Sequence, residues 1–146
     1  VRMYVDETGK LDWAAPQDWM CEATALKQTG LTVKEHQRLT VENFVELRDL
    51  LGMIVIPVLQ GWECDEYLEC VDLYDKSGVD LMSEPVIGLG SVCRRGANSA
   101  ITKIIKTLQP LNLHGFGVKG DCYLDNIDLL HVRIVVVMHC DGERKC

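Results

Sequence analysis

Seven residues, Met53-Ile-Val-Ile-Pro-Val-Leu59, make a nearly unbroken apolar run rich in β-branched side chains. A strand with one wet face alternates polar and apolar residues. This one does not, so it is predicted to be buried on both faces, as central strands of parallel sheets are. Parallel strands cannot be joined by a tight turn; they need crossovers, usually helical. The flanking sequence supplies them. Upstream, the spacing predicts a helix over Val33–Leu51, with Val33, Leu39, Phe44, Leu47, Leu50 and Leu51 on its apolar side. Thr32 and Glu35 form a capping box at its start, and Gly52 stops it. Downstream, a turn at Gln60-Gly61 leads into a helix over Cys64–Ser77, with Leu68, Val71, Leu73 and Tyr74 apolar and Gly78 at its end.

The same rhythm extends in both directions. Leu11–Gln17 reads as the first strand, Val86–Leu89 as the third, a helix starts at Asn98 or Ser99 and runs to about Leu108, and Leu113–Val118 is the fourth strand. The fold class is therefore α/β: parallel βα units amounting to about half of a TIM-type barrel, over residues 1–119. Residues 120–146 break the rhythm as an irregular C-terminal tail, with one β run at His131–Met138 before a polar terminus. No Ser/Gly-rich linker or repeat divides the 146 residues, which fit one domain or part of a larger one.

Composition removes several classes of function. With 47% hydrophobic and 25% charged residues the chain can bury a core and is not intrinsically disordered. Lys+Arg 15 against Asp+Glu 22 leaves a net charge of -7, which argues against gripping a phosphate backbone over the whole surface. A local basic rim near Arg94, Arg95, Lys103 and Lys106 stays open. The seven cysteines contain no CxxC pair, so neither a disulfide framework nor a zinc ribbon is expected, and a reducing cytoplasm fits best. His139, Cys140 and Cys146 match no metal-ligand spacing, and no metal site is assigned. No apolar run approaches the length of a membrane span, and no signal segment opens the sequence, so a soluble, unsecreted chain with no membrane partner is expected.

In a parallel βα array the chemistry gathers at the turns from strand to helix. Asp18, between Trp13 and Trp19, is placed either to accept hydrogen bonds from an N–H/NH2 edge or to cap a helix. Gln60 closes an apolar strand, where an amide reads a donor/acceptor pair on a heterocycle or simply faces solvent. Gly88-Leu89-Gly90 lets the backbone approach a ligand, while Arg94 and Arg95 stand where an anion would bind a helix start. The glycine pair lacks the third glycine of a dinucleotide fingerprint and the lysine of a P-loop. Cys93 is expected to be a small buried hydrophobe rather than a nucleophile, and His114 a structural hydrogen-bonder rather than a metal ligand.

Taken in order, LDWAAPQDWMCE, TGLTVKEHQRLTVENF, PVLQGWECDEYLECVDLY, VIGLGSVCRR and LHGFGVK resemble the tRNA-guanine transglycosylase-like superfamily, most closely its deazapurine DNA modification branch. The resemblance runs from about Tyr4 to Lys119. It implies a TIM-type barrel that breaks the N-glycosidic bond of a guanine in nucleic acid, DNA rather than tRNA, and installs a 7-deazaguanine base. The DNA branch is thought to use 7-cyano-7-deazaguanine, and no cofactor is expected. By resemblance Asp18 reads the guanine-like edge, Gln60 takes the place of the glutamine in the family's VQG motif, and Gly88-Leu89 that of its backbone-reading pair. Gly61 and Cys21 would lie beside the pocket, although DWMC spaces Asp and Cys one residue further apart than the tRNA enzymes do.

The departures from the family pattern also carry expectations. The family's upstream aspartate, in an SGGF-type turn, is absent, as is the CxCxxC zinc cluster of the tRNA enzymes. The nucleophilic aspartate belongs beyond the HGFGVK-like motif, where Asp121, Asp125 and Asp128 stand in no recognisable context, so the catalytic residue is left unassigned. The expectation is a fragment, starting at Val1 and losing the family pattern after Lys119, that is inactive alone. Two alternatives stand beside it: a non-catalytic purine-like ligand-binding subunit, and an unrelated barrel enzyme holding a phosphorylated metabolite through Arg94 and Arg95. A half barrel would also leave two open sheet edges that invite self-association.

Overall fold

Val58 pairs with Gly88 and Gly88 with His114 in parallel register, aligning β1 (Val58–Leu59), β2 (Ile87–Leu89) and β3 (Leu113–Gly115) into one open sheet of order β1-β2-β3. These strands belong to a computed structural model that describes residues 13–93, 95 and 98–116. Around the sheet run α1 (Ala23–Thr29), α2 (Val33–Leu51), α3 (Cys64–Lys76) and α4 (Asn98–Thr107). The parallel α/β alternation expected from the sequence is present; its closure into half of a barrel is a separate matter. Arg94, Lys119, the tail strand His131–Met138 and the residues Asp121, Asp125, Asp128, His139, Cys140 and Cys146 lie outside the described residues.

Alternation of side chains along the strands gives the sheet two different faces. Leu59, Ile87, Leu89 and Leu113 join Phe44 of α2, Tyr67, Cys70 and Tyr74 of α3, and Ile101, Ile104 and Ile105 of α4 in one buried apolar cluster. Val58, Gly88 and His114 share the row between them, one residue out of step. On this row Gly88 has no room for a side chain: an added Cβ would lie 2.6 Å from the Phe116 ring. The His114 ring is buried between Trp13 and Phe116, with centroids 5.1 and 5.5 Å away.

The ends of α2 follow the sequence closely. Thr32 accepts from the Glu35 N–H while the Glu35 carboxylate accepts from the Thr32 N–H, completing the capping box. Gly52 ends the helix with φ 72, in the left-handed region that glycine enters without penalty. Beyond it the expected strand starts late. Gly52–Ile54 form a 3-10 turn, Met53 is 64% exposed, and Val55 makes only a single parallel bridge to Ala14. The predicted first strand, Leu11–Gln17, is likewise reduced in its described part to that bridge. Ala14 N–H donates to Ile54 O at 2.7 Å and Ile56 N–H to Ala14 O at 2.9 Å. Pro16 follows with no N–H to continue the ladder.

Side chains take over that edge of β1 where the first segment peels away. The Tyr74 hydroxyl accepts from Val58 N–H and donates to Val58 C=O, both at 3.0 Å. Gln60 N–H points at Cys70 Sγ, 3.5 Å away, and Gln60 C=O accepts from Gln37 Nε2 at 2.8 Å. The edge facing away from β2, expected to be open, is therefore occupied by groups of α2 and α3.

At the opposite end of the strands, Arg48 in the last turn of α2 gathers the chain. Its guanidinium forms a bidentate pair with Glu84 at 2.8 and 3.0 Å and donates twice to Val55 C=O. The Glu84 side chain is only 6% exposed, so the pair is largely withdrawn from water. Asn112, just before β3, donates to Glu84 C=O at 3.1 Å. Besides the 3-10 turn after Gly52, two further elements were not anticipated. Helix α1 lacks a side-chain cap and buries none of its residues, although the Gly30 terminator after Thr29 was visible in the sequence. A 3-10 turn at Leu81–Ser83 is capped by Asp80, whose carboxylate accepts from Met82 N–H.

Candidate functional site

The C-terminal ends of the parallel strands bring together residues far apart in sequence. Gln60 follows β1, Ser91 follows β2 by two residues, and the segment holding Asp18 and Cys21 arrives from the Ala14 bridge. Gln60 is wholly buried, so it is not the solvated turn residue that its position also allowed. Its Nε2 donates to Asp18 Oδ2, and its Oε1 accepts from Ser91 Oγ at 2.7 Å. Ser91 Oγ in turn accepts from the Cys21 N–H at 2.8 Å. A single chain of hydrogen bonds thus runs from the Cys21 backbone through Ser91 and Gln60 to the Asp18 carboxylate.

Asp18 does not cap a helix. The N-cap of α1 is Glu22, four residues further on, and Asp18 instead lies half-buried against Gln60. Its segment is held on both sides: Asn43 donates to Gln17 C=O at 2.8 Å, and the Trp19 N–H donates to Thr40 Oγ1 at 2.9 Å. The His36 ring bridges Met20 C=O and Thr29 Oγ1, both at 2.7 Å, so the far end of the turn is tied to α2 as well.

Glycine at position 90 is a requirement of this packing. A Cβ there would collide with the Gln60 amide, and the Gly90 C=O accepts from the buried Tyr67 hydroxyl at 2.8 Å. Gly61 is equally confined, with an added Cβ 2.9 Å from Tyr67 N. Leu89, by contrast, belongs to the apolar cluster under the helices, and Gly88 packs against Phe116. Of the residues singled out in the sequence, Asp18, Cys21, Gln60 and Gly61 gather at one end of β1, with Gly88-Leu89 on the neighbouring strand. Ser91 was not singled out. The signal was its position directly after Gly88-Leu-Gly90.

The Cys21 thiol is 1% exposed, and burial, reinforced by nearby Cys70 and acidic groups, pushes its pKa up to about 12. It is held as a neutral thiol, which suits packing beside the site and not nucleophilic attack. Cys93, expected to be buried, is exposed, because the turn after β2 carries it out of the core. Arg95 stacks on Trp62 with its guanidinium carbon 4.2 Å from the ring centroid. Its N–H groups donate to the carbonyls of Trp62 and Ser91. An arginine placed this way braces two turns, and its engagement with carbonyls weakens the anion-binding alternative. No group of three or more potential metal ligands occurs among the described residues, and none of the described helices is long and apolar enough to cross a membrane.

A family model described as DpdA, DeoxyPurine in DNA protein A, matches residues 1–136. No curated protein and no solved structure matches the chain.

Proposed function

Because the chain belongs to the DpdA family, the deazapurine DNA modification branch of the tRNA-guanine transglycosylase-like proteins, we propose that it contributes the base pocket for exchanging guanine in DNA for a 7-deazaguanine base. The carrying observation is the contact between Asp18 and Gln60 across 42 residues, at the C-terminal end of a parallel sheet. Ligands of open parallel α/β sheets lie at that end. A carboxylate beside an amide NH2 offers an acceptor next to a donor, the complement of a ring edge carrying N–H groups beside a carbonyl. In this reading Asp18 accepts from the N1–H and 2-amino edge, while Gln60 serves the 6-carbonyl. Gly88-Leu89 and Gly61 form the backbone wall, Cys21 fills space behind the base, and the three strands are part of a TIM-type barrel.

The incoming base is a 7-deazaguanine such as 7-cyano-7-deazaguanine, and the flanking DNA meets the basic side chains Lys103 and Lys106. The reaction is placed in the cytoplasm. Exchange at C1′ needs a carboxylate in line with the sugar once the nucleotide has left the stack; no described residue is assigned that role.

Calorimetric titration of the protein with 7-deazaguanine tests the pocket. Asp18→Ala is expected to weaken binding by about 1–3 kcal/mol, since a charged hydrogen-bond acceptor is lost. Equal affinity of the variant and the wild type would remove Asp18 from the site.

A further inference from the structure

Ser91 occupies a backbone conformation that its residue type does not favour. Its φ is 55, in the left-handed region, and it is the one described non-glycine residue there. A glycine at 91 would fit the same turn without penalty, because glycine enters the left-handed region freely. What glycine would not supply is the hydroxyl. That group is 5% exposed with its residue and is engaged twice: it accepts from the Cys21 N–H at 2.8 Å and donates to Gln60 Oε1 at 2.7 Å.

The direction of these bonds decides the orientation of the Gln60 amide. A backbone N–H only donates, so the hydroxyl must accept from Cys21, and its own proton is aimed at Gln60. The atom of Gln60 that faces Ser91 is then the oxygen, and the NH2 group is turned to the Asp18 carboxylate, which only accepts. Every donor in the chain points the same way, from Cys21 to Asp18. Without the hydroxyl, the Oε1 side of the amide loses its donor and only the Asp18 contact opposes a flip. The packing of Gly90 against the amide holds the position of the group without distinguishing oxygen from nitrogen.

The geometry points to Ser91 as a specificity-determining positioning residue: by fixing the Gln60 amide with its NH2 toward the Asp18 side, it makes the pocket accept a ring carbonyl and reject a ring amino group at the same place. This inference rests on the reading of Asp18 and Gln60 as base-recognising residues.

The test compares two probes, 7-deazaguanine and 2,6-diamino-7-deazapurine, which differ in the C6 oxygen and the N1 proton. Wild-type protein is expected to prefer the first by about 100-fold, because the second sets an amino group against the Gln60 NH2. Ser91→Gly relieves the left-handed turn but leaves the Cys21 N–H without its acceptor, so it is expected to lower the melting temperature only modestly while cutting the preference by about tenfold. Gln60→Glu, which has no NH2, is expected to cut it as well. If Ser91→Gly weakens both probes by one common factor, or neither, while Gln60→Glu alters the ratio, Ser91 is a structural residue and the assignment to it is overturned. A wild-type protein that binds neither probe, or both equally, would instead overturn the base-pocket reading and this inference with it.

Discussion

Gln60 donates from its buried amide to the carboxylate of Asp18, joining the end of β1 to a segment 42 residues earlier in the chain. Neither side chain belongs to a helix or strand. Each is held by the elements around it: Gln60 by Gln37, Ser91 and the surface of Gly90, and Asp18 through neighbours tied to Asn43 and Thr40. The site is thus a product of the assembled α2, β1 and β2 rather than of any one motif.

Gly90→Ala is expected to disrupt the site from behind. The new methyl would overlap the Gln60 amide, forcing it off its contacts with Asp18 and Ser91. Overpacking of this kind costs about 1–3 kcal/mol of stability, read from a urea unfolding midpoint. Binding of 7-deazaguanine should fall with it. An unchanged midpoint would mean that the amide has room to move.

Arg48→Ala should be among the most destabilising substitutions away from the site. It leaves the buried Glu84 carboxylate uncompensated and strips two donors from Val55 C=O. Breaking a buried pair from one side costs about 3–5 kcal/mol. Replacing both partners, Arg48→Met with Glu84→Gln, is expected to cost less than Arg48→Ala alone. Chemical denaturation of the three proteins checks the order.

Tyr74→Phe keeps the ring in the apolar cluster and removes the one hydroxyl that serves both polar groups of Val58. Leaving a buried backbone group unsatisfied costs about 1–3 kcal/mol. Amide hydrogen exchange supplies a local reading: the Val58 N–H should exchange faster in the variant. If its protection is unchanged, another group has replaced the phenol.

Alkaline pH should weaken the fold before it ionises the buried thiols. Burial raises Cys21 and Cys70 from about 9 to about 12, and it pushes the Tyr67 and Tyr74 hydroxyls upward as well. The unfolded chain releases these protons first, so their contribution is complete below about pH 9 and is lost as pH rises toward 12. Urea midpoints measured from pH 8 to 11 should fall steadily. Substituting both cysteines by alanine should flatten the slope; an identical slope would place its origin elsewhere.

The parts of the fold that the sequence made legible are those governed by local rules. The capping box of Thr32 and Glu35 and the stop at Gly52 depend on residues within a turn or two of each other. The expected apolar sides of the helices were only partly right: Phe44 and Tyr74 are buried, but Leu50 is 67% and Leu68 42% exposed, because the buried face of α2 runs through His36, Gln37, Thr40 and Val41 and that of α3 through Tyr67 and Cys70. The central run was correctly read as buried from Val55 to Leu59, but Met53 is exposed and the first residues are not strand, because the chain leaving Gly52 makes a 3-10 turn before it can extend. The first strand is limited to the Ala14 bridge in its described part for two reasons: Pro16 has no N–H to continue a ladder, and Val58 and Gln60 bond to Tyr74 and Gln37 instead of to a neighbouring backbone. Asp18 and Gln60 were visible as residue types at turns and through the family resemblance. Ser91 was not, since its importance lies in which atoms it meets and not in its spacing.

The Tyr74 hydroxyl closes one edge of the sheet at Val58. A strand approaching β1 from its outer side would find Val58 already bonded at both its N–H and its C=O, and would have to displace a buried phenol to pair there. A side chain of one helix thus ends the backbone ladder at Val58 and stands there in place of a neighbouring strand.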